Sequence, residues 1–173
     1  MATVPLLVLV RHAIAEDATS DQRDEERRLT GEGKRKLREA VVGMRALDLP
    51  LDVILTSPLR RARETAAIVA AGFGLDDDAV VVTPALAPGG GTDAVFATLE
   101  KHRRSAAIML VGHQPDLGEL ASTLLVGTPG LVQLPFRKAG LAAIAVPSLP
   151  PQAAGTLEFF LTPGQLRRIG RCQ

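Results

Sequence analysis

Pro5-Leu6-Leu7-Val8-Leu9-Val10-Arg11-His12-Ala13 is the stretch on which the reading of this sequence turns. Leu6 to Val10 is continuously apolar, so it reads as a strand buried on both faces, the kind found at the centre of a parallel sheet. Arg11 and His12 arrive at its carboxyl end, and open α/β sheets bind their ligands in the crevice beyond that end. Taken alone, the dipeptide is an ordinary strand cap and loop histidine as readily as a site. The same arrangement recurs further along the chain.

Val53-Ile54-Leu55 is a short apolar strand running into Thr56-Ser57-Pro58 and then a helix with Arg60, Arg61 and Arg63 in its first turns. Ser57 is expected to cap this helix, with Pro58 at its first position. Cations there oppose the helix dipole, so the arginines either face an anion or form a solvated basic face. Ala106 to Val111 is another continuous apolar run, and it delivers Gly112-His113-Gln114-Pro115 to a helix whose buried face is Leu117, Leu120, Ala121, Leu124 and Leu125. Three strands thus end in basic residues.

The remaining segments frame these three. Glu16 to Arg28 is dense in charges of both signs without apolar periodicity, and reads as a long mobile loop that starts at the candidate site. Thr30 caps an amphipathic helix from Gly31 to Leu47. Asp76-Asp77-Asp78 is read as a turn before an apolar strand from Ala79 to Thr83, because catalytic aspartates of the haloacid dehalogenase type would have to leave the end of a strand. The glycines of Pro84 to Thr92 lack the Gly-Lys-Ser/Thr of a P-loop. Asp93 to His102 is expected to be a peripheral helix with His102 exposed. Leu141 to Val146 and Thr156 to Leu161 are strands close enough in sequence to pair antiparallel, and Pro163 to Gln173 is a short basic tail helix.

At 173 residues the chain suits one full-sized domain, residues 1–173, with no internal repeat or linker. A net charge of +1 gives no global field for nucleic acid or an anionic membrane, and the absence of Trp and Tyr leaves few stacking platforms. Neither partner is expected. The apolar run that begins the chain is too short to cross a membrane and lacks the basic flank of a signal peptide. The single cysteine, Cys172, is followed only by Gln173. That excludes an internal disulfide framework, points to a reducing, cytoplasmic setting, and leaves no room for the arginine that a cysteine-dependent phosphatase places after its nucleophile.

Arg11, His12, Arg61 and His113 all project from strand ends or the helix starts behind them. Cations converging on one rim, with helix N-termini aimed at it, form a phosphate site. A neutral His12, held by a backbone carbonyl, offers a lone pair to phosphorus, while the arginines and a charged His113 stabilise the other oxygens. The chemistry is phosphoryl transfer through a covalent phosphohistidine, and it asks for no metal or cofactor. The 3 histidines are too scattered for a zinc site.

These residues resemble the histidine phosphatase superfamily, whose hallmark is Arg-His-Gly after the first strand; here it is Arg11-His12-Ala13. Over nearly the whole chain the likeness is strongest to its SixA-type phosphohistidine phosphatases, through Leu7 to Glu16, Arg27-Arg28-Leu29-Thr30 to Gly33, Thr56-Ser57-Pro58 to Arg61-Ala62, Glu64-Thr65 and Val111-Gly112-His113. The resemblance implies a phosphoglycerate mutase-like fold, a three-layer α/β/α sandwich on a mainly parallel sheet. It also implies His12 as nucleophile and Arg11, Arg61 and His113 as the phosphate pocket; Arg61 is preferred to Arg60 because the family arginine directly precedes the alanine.

Pro84 to Thr92 offers no convincing glutamate where mutase-type relatives keep a proton donor. That favours a substrate with a good leaving group, a protein-borne phosphohistidine. Two alternatives stand beside it: a small-molecule phosphomonoesterase with Asp93 or Glu16 as donor, and a non-catalytic module that binds phosphate or phosphoprotein.

Overall fold

The structure is a computed structural model that describes residues 4–172. Its centre is a six-stranded mixed sheet built from β1 (Leu6–Arg11), β2 (Val53–Thr56), β3 (Val80–Val82), β4 (Ala107–Gly112), β5 (Leu141–Ala145) and β6 (Thr156–Leu161), in the order β3-β2-β4-β1-β5-β6. The four on the β3 side run parallel, and β5 and β6 join antiparallel. The three strands that carry the basic residues are therefore neighbours, β2-β4-β1. β3 is shorter than Ala79 to Thr83 and lies at an edge with no fully buried residue, because a sheet edge has a neighbour on one side only.

Side chains alternate between the faces of a strand, and each face acquires its own core. On one side Val8, Val10, Ile54, Met109 and Val111 pack against Leu37 and Met44 of α1 (Gly31–Arg45), Ala62 and Val69 of α2 (Arg60–Phe73), and Leu166 of α5 (Pro163–Arg171). On the other, Leu7, Leu9, Leu55, Ile108 and Leu110 meet Leu99 of α3 (Thr92–Glu100) and Leu117, Leu120 and Leu124 of α4 (Asp116–Val126). The result is the three-layer α/β/α sandwich. Gln173 lies outside the described residues; the rest of the tail is α5, capped reciprocally by Thr162 and Gln165.

The connections locate the crevice. After β1 the chain crosses through α1 on one face, whereas after β4 it leaves through α4 on the other. β1 and β4 are adjacent, so their carboxyl ends open at the point where the winding reverses, which is where such sheets bind ligands.

Several local expectations are corrected. Ser57 and Pro58 lie before the helix, which starts at Arg60 behind Leu59; the Ser57 hydroxyl is engaged elsewhere. His102 falls in the turn after α3 and is half-buried. Pro115 precedes α4 instead of opening it. Glu16 to Arg28 is tied at its base by an Ala15–Leu29 bridge and contains a 3-10 turn, Asp24–Glu26.

α1 and α5 approach closely at Gly43, where a β-carbon would stand 1.9 Å from the Leu166 carbonyl oxygen. Gly43→Ala is expected to destabilise the fold by about 1–3 kcal/mol through forced separation of the two helices. A lowered urea midpoint with unchanged slope would show it, and an unchanged midpoint would contradict this packing.

Candidate active site

Arg11 lies opposite Gly112 in the parallel ladder between β1 and β4, and the ladder gains one more bond from the His12 N–H to the Gly112 carbonyl, 3.1 Å. The residues that follow each strand therefore stand side by side. The His12 and His113 rings have centroids 5.2 Å apart and planes inclined at 52°. Both residues are buried.

The His12 Nδ1 is 2.8 Å from the Ala13 carbonyl oxygen. A carbonyl only accepts, so Nδ1 carries the ring proton and donates it, leaving Nε2 with a free lone pair. Burial pushes the His12 imidazole down to about 3; the Ala13 carbonyl opposes the shift, while His113, Arg61 and Arg11 reinforce it. His12 is thus neutral at physiological pH, and its tautomer is set by the backbone just beyond β1. The Ala13 N–H in turn donates to the Thr65 hydroxyl (3.0 Å), which donates to the Arg61 carbonyl (2.7 Å), tying the strand end to α2 through a buried side chain.

Arg11 is held by its Nη1 bond to the Phe136 carbonyl, 2.9 Å, and by the Ala139 N–H donating to its own carbonyl, 3.0 Å. Arg61 is 5% exposed, and its Nη1 and Nη2 donate to the backbone carbonyl (2.7 Å) and Oδ2 (2.9 Å) of Asp24. Both guanidiniums lie close enough to the two histidines to depress their pKa values. The Nε atoms of both arginines are buried without a partner among the described residues. Arg60, by contrast, pairs with Glu64 at 3.0 Å, and Glu64 also accepts from the Leu29 N–H. Arg60 is thus spent on the α2 surface, and Arg61 faces the histidines.

His113 Nε2 is 2.8 Å from the Ser57 hydroxyl, which also accepts from the Leu59 N–H. Burial pushes His113 down to about 4; Arg61 adds to this, Asp24 opposes it and Arg11 adds again. The charged His113 expected from the sequence is therefore not its resting form.

The carboxylates fall differently from expectation. Asp93 is exposed on α3, and Glu16 pairs with Arg28 at 2.8 Å at the loop base. Two others stand nearer. Asp24 occupies Arg61, and Asp116 lines a cleft beside His113 together with Ala85, Leu86, Val95 and Leu117, its Oδ2 accepting from the Gly89 N–H at 3.1 Å. Neither was singled out in the sequence, where Asp24 is one charge among many in an aperiodic stretch. Among the described residues, no three His, Cys, Asp or Glu side chains group where they could hold a metal ion, and no helix is long and apolar enough to cross a membrane.

Residues 7–87 match the family described as the histidine phosphatase superfamily, branch 1. An uncharacterized protein of Picosynechococcus sp. PCC 7002 is 38% identical over 158 residues, covering 90% of this chain and 93% of that one. Among solved structures, the protein histidine phosphatase SixA complexed with tungstate superposes with TM-score 0.80 at 24% identity, covering 93% of this chain and 99% of the other. A Nakamurella multipartitia protein assigned as a SixA phosphohistidine phosphatase gives 0.75 at 25% identity, with 92% and 96% covered. The alpha-ribazole phosphatase of Shigella flexneri gives 0.69 at 19% identity, with 91% and 96% covered. The fold is that of the histidine phosphatases among these structures. The chain belongs to the histidine phosphatase superfamily.

The depressed histidines carry a stability signature. In the unfolded chain they take up protons near 6.5, whereas in the folded chain they do so only near 3 and 4. Between those limits the unfolded state binds more protons, so stability falls as pH falls. The urea midpoint is expected to drop from pH 7 to pH 5, and to drop less in the double variant His12→Asn, His113→Asn. A flat midpoint in the parent protein would contradict a neutral buried pair.

Proposed function

We propose that this protein is a phosphohistidine phosphatase that works through a phosphorylated His12. The observation that carries the reading is the His12 Nδ1–H bond to the Ala13 carbonyl at 2.8 Å, which leaves Nε2 as a fixed nucleophile beside Arg11, Arg61 and His113. In the first step Nε2 attacks phosphorus and the bond from phosphorus to the substrate nitrogen breaks, its electron pair leaving with the substrate imidazole. Arg11, Arg61 and His113 neutralise the equatorial oxygens of a displacement that is mostly a matter of positioning and charge. The Ala13 carbonyl meanwhile stabilises the phosphorylated ring, whose Nδ1–H has become part of a cation. In the second step water attacks phosphorus, Nε2 recovers its lone pair, and the water's proton leaves on orthophosphate. No metal takes part in either step.

The nature of the leaving group supports the choice of substrate. An alkoxide needs a proton donor, worth roughly 10²- to 10⁴-fold, and the cleft's exit segment between Pro84 and Thr92 carries no Asp or Glu. An imidazole protonated on its other nitrogen leaves as a neutral base without one. Likeness to SixA proteins over most of the chain points the same way. Asp116, beside His113, favours a second reading, a small-molecule phosphomonoesterase with Asp116 as donor.

A turnover panel separates them. A phosphohistidine peptide is expected to exceed aryl, sugar and nucleotide phosphates in kcat/KM, with Asp116→Asn changing its rate little and a chelator having no effect. A sugar or nucleotide phosphate turned over faster, with a large loss in Asp116→Asn, would overturn the first reading in favour of the second. His113→Ala is expected to lower kcat by roughly 10²- to 10³-fold, whereas His12→Ala abolishes turnover.

A further inference from the structure

We infer that Asp24 is an internal competitor for the phosphate site: it holds Arg61 in the free enzyme, and the substrate's phosphoryl group must displace it. This rests on Arg61 being a phosphate ligand, as proposed above.

Two oxygens of one residue, the backbone carbonyl and Oδ2 of Asp24, accept from Nη1 and Nη2 of Arg61 at 2.7 and 2.9 Å. That is the two-pronged contact a guanidinium makes with two oxygens of a phosphoryl group. While it persists, two of the five N–H donors of Arg61 are spent on Asp24, and its Nε is buried without a partner among the described residues. The Asp24 carboxylate also lies close enough to His113 to raise its pKa, so it stands near where the anion's charge has to be placed. Two anions cannot share that position without repulsion.

The surrounding chain is suited to letting go. Its base is clamped by the Glu16 N–H bond to the Arg28 carbonyl (2.9 Å), the Arg27 Nε bond to the Glu16 carbonyl (2.7 Å) and the Glu16–Arg28 ion pair. Between these clamps, residues 17–26 include no buried side chain, so lifting Asp24 away exposes no apolar core. A second partner is already in place, because Arg27 Nη1 holds the other carboxylate oxygen at 2.6 Å. Arg27 and Arg61 hold the Asp24 carboxyl below its ordinary range, against the opposing effect of its partial burial. It therefore stays charged and competes throughout the neutral range. The apparent affinity for phosphate is the intrinsic affinity reduced by the fraction of molecules with Arg61 released.

The test measures competitive inhibition by inorganic phosphate in the full chain, for the parent, Asp24→Asn and Arg61→Gln. Asp24→Asn keeps the backbone carbonyl and removes the charge of an exposed side chain, and is expected to tighten phosphate inhibition about three- to tenfold, while Arg61→Gln weakens it. Weaker inhibition in Asp24→Asn would show that Asp24 positions Arg61 and does not compete. No change in Asp24→Asn, with weakening in Arg61→Gln, would overturn the competition and leave the phosphate site standing. No change in either would remove Arg61 from the phosphate site and the inference with it. If Arg61→Gln fails to fold, the Asp24 carboxyl ¹³C resonance of the parent decides: it is expected to shift as phosphate saturates, and constancy would contradict displacement.

Discussion

The pairing of β1 with β4 is the constraint from which the site follows. Both strands are buried on both faces, Leu7 to Val10 and Ala107 to Gly112, and each strand contributes alternate side chains to two separate cores. A slip of one residue would turn every one of those side chains to the wrong face. Because the register cannot slip, Arg11 stays opposite Gly112 and the histidines behind them stay adjacent. The apolar core thus does the positioning that catalysis needs, well away from the polar rim where the chemistry takes place.

The rim carries charge out of balance with its surroundings. A buried guanidinium, a half-buried one and two imidazoles share one crevice, and the imidazoles answer by staying neutral. For His12 that neutrality is what the proposed nucleophile requires, and the Ala13 carbonyl leaves Nε2 as the nitrogen with a free lone pair. For His113 it marks a site waiting for negative charge. Thr65 connects the two halves, since its hydroxyl bridges the Ala13 amide and the Arg61 carbonyl. A rotation of α2 that moved Arg61 would pull on the peptide next to His12. Asp24 supplies, from within the chain, a carboxylate to the buried Arg61.

The sequence made the strands that build the crevice legible because unbroken apolar runs have few alternatives in a chain of this size. His12 and His113 could be paired because each follows such a run directly. What escaped were contacts between segments distant in sequence. Asp24 and Arg61 are 37 residues apart and share no periodic pattern. Ser57 read as a helix cap since its neighbours are Thr56 and Pro58, and only the fold reveals that His113 claims its hydroxyl. The resting protonation of His113 was missed for a related reason, because burial dominates it and burial is a property of the folded chain.

At the centre of the account is a covalent intermediate on one nitrogen of one histidine. Rapid-quench labelling with a ³²P-phosphohistidine peptide tests it most directly. An acid-labile, alkali-stable adduct is expected on the peptide that contains His12, formed more slowly in His113→Ala and absent in His12→Ala. Label on His113, or normal labelling in His12→Ala, would contradict it.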